Sequence, residues 1–164
     1  MLGLTLLATA CSVGPVTAEP HGPDDRARSS DFEHRRSRTV RLVQRFIGVP
    51  YLWGGESVTG FDCSGLVKYV YALAGIAMPH NAAQQYRYGV PVSRDELKPG
   101  DLVFFDELRH NGIYVGDGRF IHAGQTGGNV GVARLEDAWF KIRWFGARRL
   151  TGEGLPGSAR DSRW

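Results

Sequence analysis

The residue with the clearest capacity for chemistry is Cys63, which lies at the start of a run with helical periodicity. Asp62 is a residue type that commonly caps helices, so Cys63 is expected in the first helical turn. A thiol there lies near the positive end of the helix dipole, which predicts a lowered pKa and a larger thiolate fraction. Such a thiol could attack a carbonyl carbon, although most isolated cysteines in proteins are buried packing residues.

A cysteine nucleophile needs a base, and two of the five histidines, His110 and His122, flank a predicted β-hairpin. With a three-residue turn at 116–118, Gly112 lies opposite His122, and His110 is a diagonal neighbour on the same face, with β-carbons up to roughly 7–8 Å apart. A two-residue turn at Asp117-Gly118 would shift the register by one and place the rings on opposite faces. The hairpin register therefore decides whether the two imidazoles can act together.

The composition indicates one globular domain, since the 164 residues are 42% apolar and 23% charged. A net charge of +3 is too mild to indicate a nucleic-acid-binding protein. With Cys11 and Cys63 as the only cysteines, neither a cysteine-ligated zinc site nor a disulfide framework can be built.

The two ends of the chain differ in composition from the middle. Residues 1–10 form an apolar run that is much shorter than the roughly 20 residues of a membrane-spanning helix. The run leads into Ala8-Thr9-Ala10-Cys11, which resembles the lipidation box of bacterial lipoproteins and predicts a signal segment and a lipid anchor on Cys11. Plain secretion and a buried cysteine are the alternatives. Residues 11–37 are predicted to be a flexible tether and residues 151–164 a disordered tail, because both are polar and lack aliphatic periodicity.

Helices come first in the middle of the chain, and strands follow. The spacing of apolar residues predicts a helix over 39–48, a second that begins after Asp62 and ends at Gly75, and a short third capped by Asn81. Strands are expected at 102–105, 110–114, 120–123, 130–133 and 144–150. Helices followed by an antiparallel sheet indicate the α+β class.

Four motifs follow one another along the chain: PYLWGG at 50–55, FDCSGLV at 61–67, PGDLVFF at 99–105 and HNGIYVGDGRFIHA at 110–123. Together they resemble the NlpC/p60 family of cell-wall cysteine peptidases over about residues 38–150. The resemblance implies a papain-like α+β fold in which N-terminal helices pack on a central antiparallel sheet. It also implies that Cys63 is the nucleophile, His110 the base, and His122 the third polar residue, which orients His110.

Further residues acquire a role through the same resemblance. Tyr51, with the backbone N–H of Cys63, is expected to face the oxyanion. Asp62 and Ser64 are similar to residues that hold the free amine of the substrate in this family. The simpler interpretation, in which Asp62 is a helix cap and Ser64 a first-turn helix residue, stays open.

Two positions depart from the usual family pattern. Asn111 replaces an aliphatic residue after the base and is expected to point away from the catalytic face, where it affects packing more than chemistry. His80 and Asn81 replace a basic and hydroxyl pair. His80 is expected either to contact the substrate or to cap or decorate its helix.

The resulting hypothesis is a monomeric peptidoglycan endopeptidase in the cell envelope, held at the membrane by its lipid and acting on stem peptides through a thioester without cofactor or metal. The alternatives are a catalytically silent wall-binding module, an acyltransferase with the same chemistry, and a metal site formed by Cys63, His110 and His122. The catalytic hypothesis predicts a sulfur to imidazole contact of roughly 3–4 Å in a cleft lined by Tyr51, Asp62 and Ser64.

Overall fold

A six-stranded antiparallel sheet with helices packed against it forms the body of the computed structural model, which describes residues 23–125 and 127–151. The helices are α1 Pro23–Gln44, α2 Cys63–Leu73, α3 Ala82–Gln85 and α4 Ala138–Ile142. The strands are β1 Glu56–Ser57, β2 Gly60–Phe61, β3 Val90–Val92, β4 Leu102–Phe105, β5 His110–Gly116, β6 Arg119–Ala123, β7 Val130–Arg134 and β8 Trp144–Arg149.

The order of strands in the large sheet is β3-β8-β4-β5-β6-β7, and every neighbouring pair is antiparallel. Strands β1 and β2 form a separate small hairpin. The α+β class expected from the sequence is therefore confirmed. The periodicity did not predict β1, β2, β3 or α4, because segments of two to five residues are too short to show a period.

Helix α1 begins at Pro23, so the predicted flexible tether is wrong for residues 23–37. Two arginines of this segment find partners elsewhere in the fold. Arg35 donates to the carbonyl of Gly75 at 2.9 Å, and Arg36, which is 4% exposed, donates to the carbonyl of Pro99 at 3.3 Å. A composition that reads as a solvated linker thus supplies tertiary hydrogen bonds, which local patterning cannot reveal. The helix also ends at Gln44, and residues 45–48 form turns.

Helix α2 starts as the sequence predicts. Asp62 is its N-cap, with a side chain that accepts a hydrogen bond from the backbone N–H of Gly65 at 2.7 Å. Gly65 must be a glycine, because a β-carbon there would lie 2.0 Å from the carbonyl oxygen of Gly55. This close approach fixes the start of α2 against the turn that precedes β1. Asn81 likewise caps α3, as expected.

The hairpin of β5 and β6 combines a two-residue turn with a bulge. Gly116 pairs with Arg119, which leaves Asp117 and Gly118 as the turn, and the register shifts between Tyr114 and Gly116. Asp117 and Gly118 both have positive φ, which is typical of the tight turns that suit hairpins. The expected three-residue turn is therefore wrong. The bulge between Tyr114 and Gly116 supplies the extra residue that a three-residue turn would have supplied. Tyr114 therefore still pairs with Phe120, as the expected register requires.

Strand β4 is buried on both faces, which explains its unbroken apolar run. Leu102 and Phe104 pack with α1 and α2 on one face, whereas Val103 and Phe105 pack on the other face with Phe140 of α4. Helix α2 contacts β5 and β6, which brings the start of α2 to the strand that begins with His110.

The predicted signal segment, Cys11, residues 11–22 of the tether and residues 152–164 of the tail lie outside the described residues. Among the residues that are described, no helix combines the length and the apolar content needed to cross a membrane.

Candidate active site

The thiol of Cys63 lies against the backbone of β5 beside His110. It donates a hydrogen bond to the carbonyl of Arg109 at 3.8 Å, and the backbone N–H of Asn111 forms a hydrogen bond that lowers the thiol pKa. The residues before and after His110 thus both touch the thiol through their main chains. Cys63 itself is half-buried, at the first position of α2.

Burial nevertheless raises the pKa of the Cys63 thiol above its ordinary value, so the expectation of a lowered pKa is wrong. The loss of solvation outweighs the hydrogen bonds from the backbone N–H groups of Asn111, Ser64 and Cys63, all of which act in the opposite direction. The nearby carboxylate of Asp62 raises the pKa further. The thiol is therefore mainly protonated at neutral pH.

The two imidazoles meet directly. His110 Nε2 lies 2.9 Å from His122 Nδ1, and the two rings stand nearly perpendicular with an interplanar angle of 88°. Burial lowers the pKa of His110 to about 3, and a charge on His122 lowers it further. Burial also lowers the pKa of His122 to about 4, against the opposing effect of a hydrogen bond with the backbone of Ala123. Both rings are therefore neutral at pH 7, and one nitrogen of the contact carries the shared proton.

The Cys63 thiol donates its hydrogen bond to a backbone carbonyl and not to the His110 imidazole. Within residues 23–125 and 127–151, no hydrogen bond connects the Cys63 thiol to His110, because the thiol is directed to the Arg109 carbonyl. The expected sulfur to imidazole contact of roughly 3–4 Å stays a prediction. The Nε2 atom of His110 is engaged by His122, which leaves Nδ1 as the nitrogen that can take a proton from the thiol. Catalytic contacts are often loose without substrate, so this geometry is compatible with a base at His110.

Tyr51 lies within electrostatic reach of the nucleophile. Its hydroxyl pKa is raised, first by burial and then by the nearby charges of Cys63 and Asp62. The hydroxyl consequently keeps its proton and can donate a hydrogen bond toward a group bound at the thiol.

The carboxylate of Asp62 is occupied by internal contacts. Besides the N–H of Gly65, it accepts hydrogen bonds from the N–H of Gly54 and from the hydroxyl of Ser64, both at 3.1 Å. The Nε2 atom of His80 lies 2.9 Å from each of its oxygens. Ser64 is 8% exposed, so its hydroxyl serves this cluster rather than solvent. The structure thus shows the helix-cap role of Asp62, and a role in substrate binding stays a prediction.

His80 links that carboxylate to a second one. Its Nδ1 atom lies 3.1 Å from Glu56, which in turn forms a salt bridge with Lys68 of α2. The expectation that His80 caps or decorates its helix does not describe this arrangement, because the ring lies between two acidic side chains from β1 and the start of α2. Contact of His80 with the substrate stays a prediction. The sequence signal was present in the unusual His80-Asn81 pair, but its partners were not predictable from spacing.

A buried polar clamp that the sequence did not predict joins α2 to β5. The side-chain amide of Asn111 donates to Gln85 Oε1 at 2.6 Å, and Gln85 Nε2 donates to the carbonyls of Ser64 and Pro79 at 2.9 and 2.7 Å. Asn111 points away from the imidazole pair, as expected, and both clamp residues are fully buried. The clamp therefore fixes the distance between the helix of Cys63 and the strand of His110.

Aromatic rings enclose the imidazole pair on the side of α4. The ring centroids of Trp139 and Phe140 lie 5.9 and 6.1 Å from the centroid of the His110 ring. The centroid of Phe140 lies 5.2 Å from that of the His122 ring. Phe120 also lies 5.2 Å from His122. This enclosure is the physical cause of the low imidazole pKa values. The sequence reasoning missed it, although two adjacent aromatic residues between predicted strands were a usable signal.

The described part of the chain contains no group of three His, Cys, Asp or Glu side chains placed to hold a metal ion. Cys63, His110 and His122 therefore do not form such a group, and the alternative of a metal site built from these three residues finds no support in their arrangement.

Comparison with known proteins agrees with this geometry. Two curated relatives are the γ-DL-glutamyl hydrolase of Bacillus subtilis strain 168, 40% identical over 71% of this chain, and the murein DD-endopeptidase MepH of Escherichia coli K12, 44% identical over 67% of it. The chain spans 30% and 44% of the length of these relatives. The crystal structure of an NlpC/P60 family protein from Bacillus cereus ATCC 10987 superimposes with a TM-score of 0.68 and 34% identity, covering 74% of this chain and 40% of that one.

The family model described as NlpC/P60 family matches residues 48–149, which is more than half of the sequence and contains the thiol, both imidazoles and the whole six-stranded sheet. This chain therefore belongs to the NlpC/P60 family.

Proposed function

We propose that the protein is a cysteine endopeptidase that hydrolyses an amide bond in or between the stem peptides of peptidoglycan. The observation that carries the proposal is the neutral pair of imidazoles, which are hydrogen-bonded at 2.9 Å. His110 of this pair begins β5, next to the Arg109 carbonyl that the Cys63 thiol contacts. A thiol, a base and an orienting group are the parts that thioester chemistry requires. The relative named as a murein DD-endopeptidase supports an amide of the cell wall as the substrate.

The first half of the reaction forms the thioester. As the Cys63 sulfur bonds to the carbonyl carbon of the substrate, the thiol proton passes to Nδ1 of His110. For this transfer the thiol must first give up its hydrogen bond to the Arg109 carbonyl. His110 can accept the proton because the ring is neutral and holds its other proton on Nε2, directed to Nδ1 of His122. His122 thereby selects the tautomer of His110 and accepts a hydrogen bond from the imidazolium.

The proton then moves to the leaving group. The C–N bond breaks as His110 donates this proton to the departing amine, and the acyl group stays on sulfur. Water next attacks the thioester while His110 removes one of its protons, and that proton returns to sulfur as the C–S bond breaks. The low pKa of His110 favours both donations, because its protonated form is unstable in the buried site.

Two donors are available to the oxyanion that forms at the carbonyl. One is the backbone N–H of Cys63 at the start of α2, and the other is the protonated hydroxyl of Tyr51. Asp62 and Ser64 contribute by holding the start of α2 in place, and they reach a substrate amine only if the carboxylate exchanges one of its present partners.

Digestion of purified sacculi, with the soluble fragments identified by mass spectrometry, tests the proposal. Cys63→Ala and His110→Ala should release no fragments, whereas His34→Ala, which removes an exposed imidazole from α1, should behave like the wild type. Near-native thermal midpoints for the inactive variants would show that the loss is chemical. Fragments released by Cys63→Ala would contradict the mechanism, and a chelator should leave the wild type unaffected.

An acyltransferase would share the thioester and differ in the acceptor. Supplying an amino-acid amide during the digest distinguishes the two, because a transferase yields new amides while a hydrolase yields free acids. A silent wall-binding module would sediment with sacculi and release nothing.

The proposed location is outside the cytoplasm, with Cys11 carrying a lipid and the catalytic domain acting as a monomer. It is supported by the small residues before Cys11 and by the cell-wall substrate of the relative MepH. Membrane fractions from the native host should contain the wild-type protein but not Cys11→Ser. A variant that still pellets with membranes would contradict the anchor.

A further inference from the structure

The outward side of α1 carries a row of arginines. Residues 34–55 contain five arginines and no aspartate or glutamate. Three of the five, Arg38, Arg41 and Arg45, are exposed, and at about 100° per residue they lie within about 60° of one another around the helix axis. Arg45 continues this row in the turn that follows α1, where its N–H donates to the carbonyl of Leu42 at 3.0 Å. Among the described residues, no carboxylate forms an ion pair with any of these three guanidinium groups.

We propose that this arginine face, formed by Arg38, Arg41 and Arg45, docks the domain on an anionic phospholipid membrane. The inference goes beyond the proposed hydrolysis and does not require it. It draws on the proposed lipid at Cys11 for one argument, the reach of the chain, and its test uses protein that carries no lipid.

The carboxylates in the middle of α1 serve arginines that face the fold. Asp31 pairs with Arg35 at 2.7 Å, and Glu33 pairs with Arg36 at 2.8 Å. Both of these arginines also donate to carbonyls of other segments, so they hold α1 in place. The arginine face makes no such contact within the described residues, and like charges three and four residues apart repel one another. An anionic surface would relieve this repulsion.

A surface of phosphate groups matches the charge and shape of this face. The three arginines project from one side of a segment about 10 Å long, so a flat surface can meet all of them. Guanidinium groups bind phosphate oxygens through two parallel N–H groups, and each arginine close to an anionic bilayer strengthens binding several-fold. Ile47, two residues after Arg45, is 47% exposed and supplies an apolar side chain close to the last of these charges.

The position of the face suits a chain anchored at Cys11. The segment 12–22 separates Cys11 from the start of α1, and in any conformation it spans at most about 40 Å. A lipid on Cys11 would therefore hold α1 within that distance of the bilayer. The opposite side of α1 packs on the core through Thr39 and Val43, which are fully buried. Since α2 packs on that core side, docking leaves the helix that begins with Cys63 facing away from the membrane.

Flotation with lipid vesicles tests the proposal on the full chain with Cys11→Ser, which cannot carry the lipid. The vesicles consist of phosphatidylcholine alone or of equal parts of phosphatidylcholine and phosphatidylglycerol. At low ionic strength the protein should float with the anionic vesicles and stay unbound with the neutral ones. The triple variant Arg38→Gln/Arg41→Gln/Arg45→Gln should bind the anionic vesicles roughly 100-fold more weakly, since each arginine near the surface contributes about a factor of five.

A control with the same loss of charge separates the face from the net charge. Arg87 after α3, Arg119 in β6 and Arg134 in β7 are also exposed. Replacing these three by glutamine lowers the formal net charge from +3 to 0, as the test variant does. This control should keep its affinity within about threefold, because salt screens charges that do not meet the surface. Lysine at all three positions of the arginine face should retain most of the binding, and thermal midpoints near the wild-type value would show that the variants are folded.

Salt distinguishes this contact from the proposed lipid. In about 1 M NaCl, where charges are screened beyond about 3 Å, the anionic vesicles should release the protein, whereas a lipid on Cys11 would persist. Membrane fractions that compare the wild type with Cys11→Ser therefore need a wash at this salt concentration, after which they report the lipid alone.

The outcomes separate this proposal from the others. Equal binding before and after the glutamine substitutions in the arginine face, or an equal loss in the Arg87 control, overturns the membrane contact. Binding to immobilised poly(glycerol phosphate) that depends on the face, without such dependence on vesicles, also overturns it and indicates a wall polymer as the partner. If sacculi release no fragments but vesicle binding is lost only in the Arg38 variant, the proposed function is overturned and the membrane contact stands.

Discussion

The buried histidine pair should make the fold sensitive to acid. Burial lowers the pKa of His110 and His122 from 6.5 to about 3 and about 4 in the folded protein. In the unfolded chain both return to about 6.5, so between pH 6.5 and pH 4 the unfolded state binds more protons than the folded state. Stability is therefore fully retained above pH 6.5 and declines as the pH falls below that value.

The size of the effect follows from the 1.36 kcal/mol that one pH unit represents for one proton. From pH 8 to pH 5, each histidine should lower the free energy of unfolding by about 2 kcal/mol, because only the 1.5 units below 6.5 count. The pair together should cost about 4 kcal/mol, which is a large share of the roughly 5–15 kcal/mol that stabilises most domains.

Urea unfolding of the wild type, His110→Phe and His122→Phe at pH 8 and pH 5 measures this directly. Each variant should lose about 2 kcal/mol less than the wild type between the two pH values, since phenylalanine suits the aromatic surroundings and does not titrate. His34→Ala is the control for removal of an imidazole at an exposed position. Equal losses in the wild type and in both phenylalanine variants would refute the reasoning.

Three further predictions concern the thiol and the buried polar contacts. Alkylation of Cys63 by iodoacetamide should rise with pH to an inflection above the ordinary thiol value and show no plateau near pH 6, because burial raises the thiol pKa; a fast plateau would indicate an ion pair instead. Asn111→Leu should destabilise the protein by about 1–3 kcal/mol in urea unfolding, because the buried Gln85 oxygen loses its donor; unchanged stability would show that the clamp contributes nothing. Asp101→Ala should cost about 3 kcal/mol in the same assay, because Arg149, bound to Asp101 at 2.7 and 2.9 Å, loses a fully buried partner; a loss below about 1 kcal/mol would contradict this.

Several features of the site were accessible from sequence alone because they depend on near neighbours in the chain. Asp62 could be identified as a helix cap, and Cys63 as the residue that follows it, from residue type and periodicity. The alternation of side chains along the strands predicted that His110 and His122 share one face of the hairpin. The structure has the required register because of a bulge in β5 instead of a longer turn. The motif order was enough to indicate the NlpC/P60 family.

Other features depended on residues that are distant in sequence. The segment that contains Arg35 and Arg36 has the composition of a linker. Only the fold places the carbonyls of Gly75 and Pro99 where these two arginines can donate to them. The clamp between Asn111 and Gln85 joins residues 26 positions apart, and no local pattern pairs them.

The ionisation of the site shows most clearly where sequence reasoning stops. The helix dipole at Cys63 is a local property, and it predicts a more acidic thiol. The actual direction is the opposite, because packing removes water from the sulfur, and the same packing keeps both imidazoles neutral. The sequence by itself determined that Cys63 begins a helix and that His110 and His122 share one face of a hairpin. Only the tertiary structure decided their charges and the aromatic enclosure by Trp139 and Phe140, since desolvation depends on every segment that folds over the site.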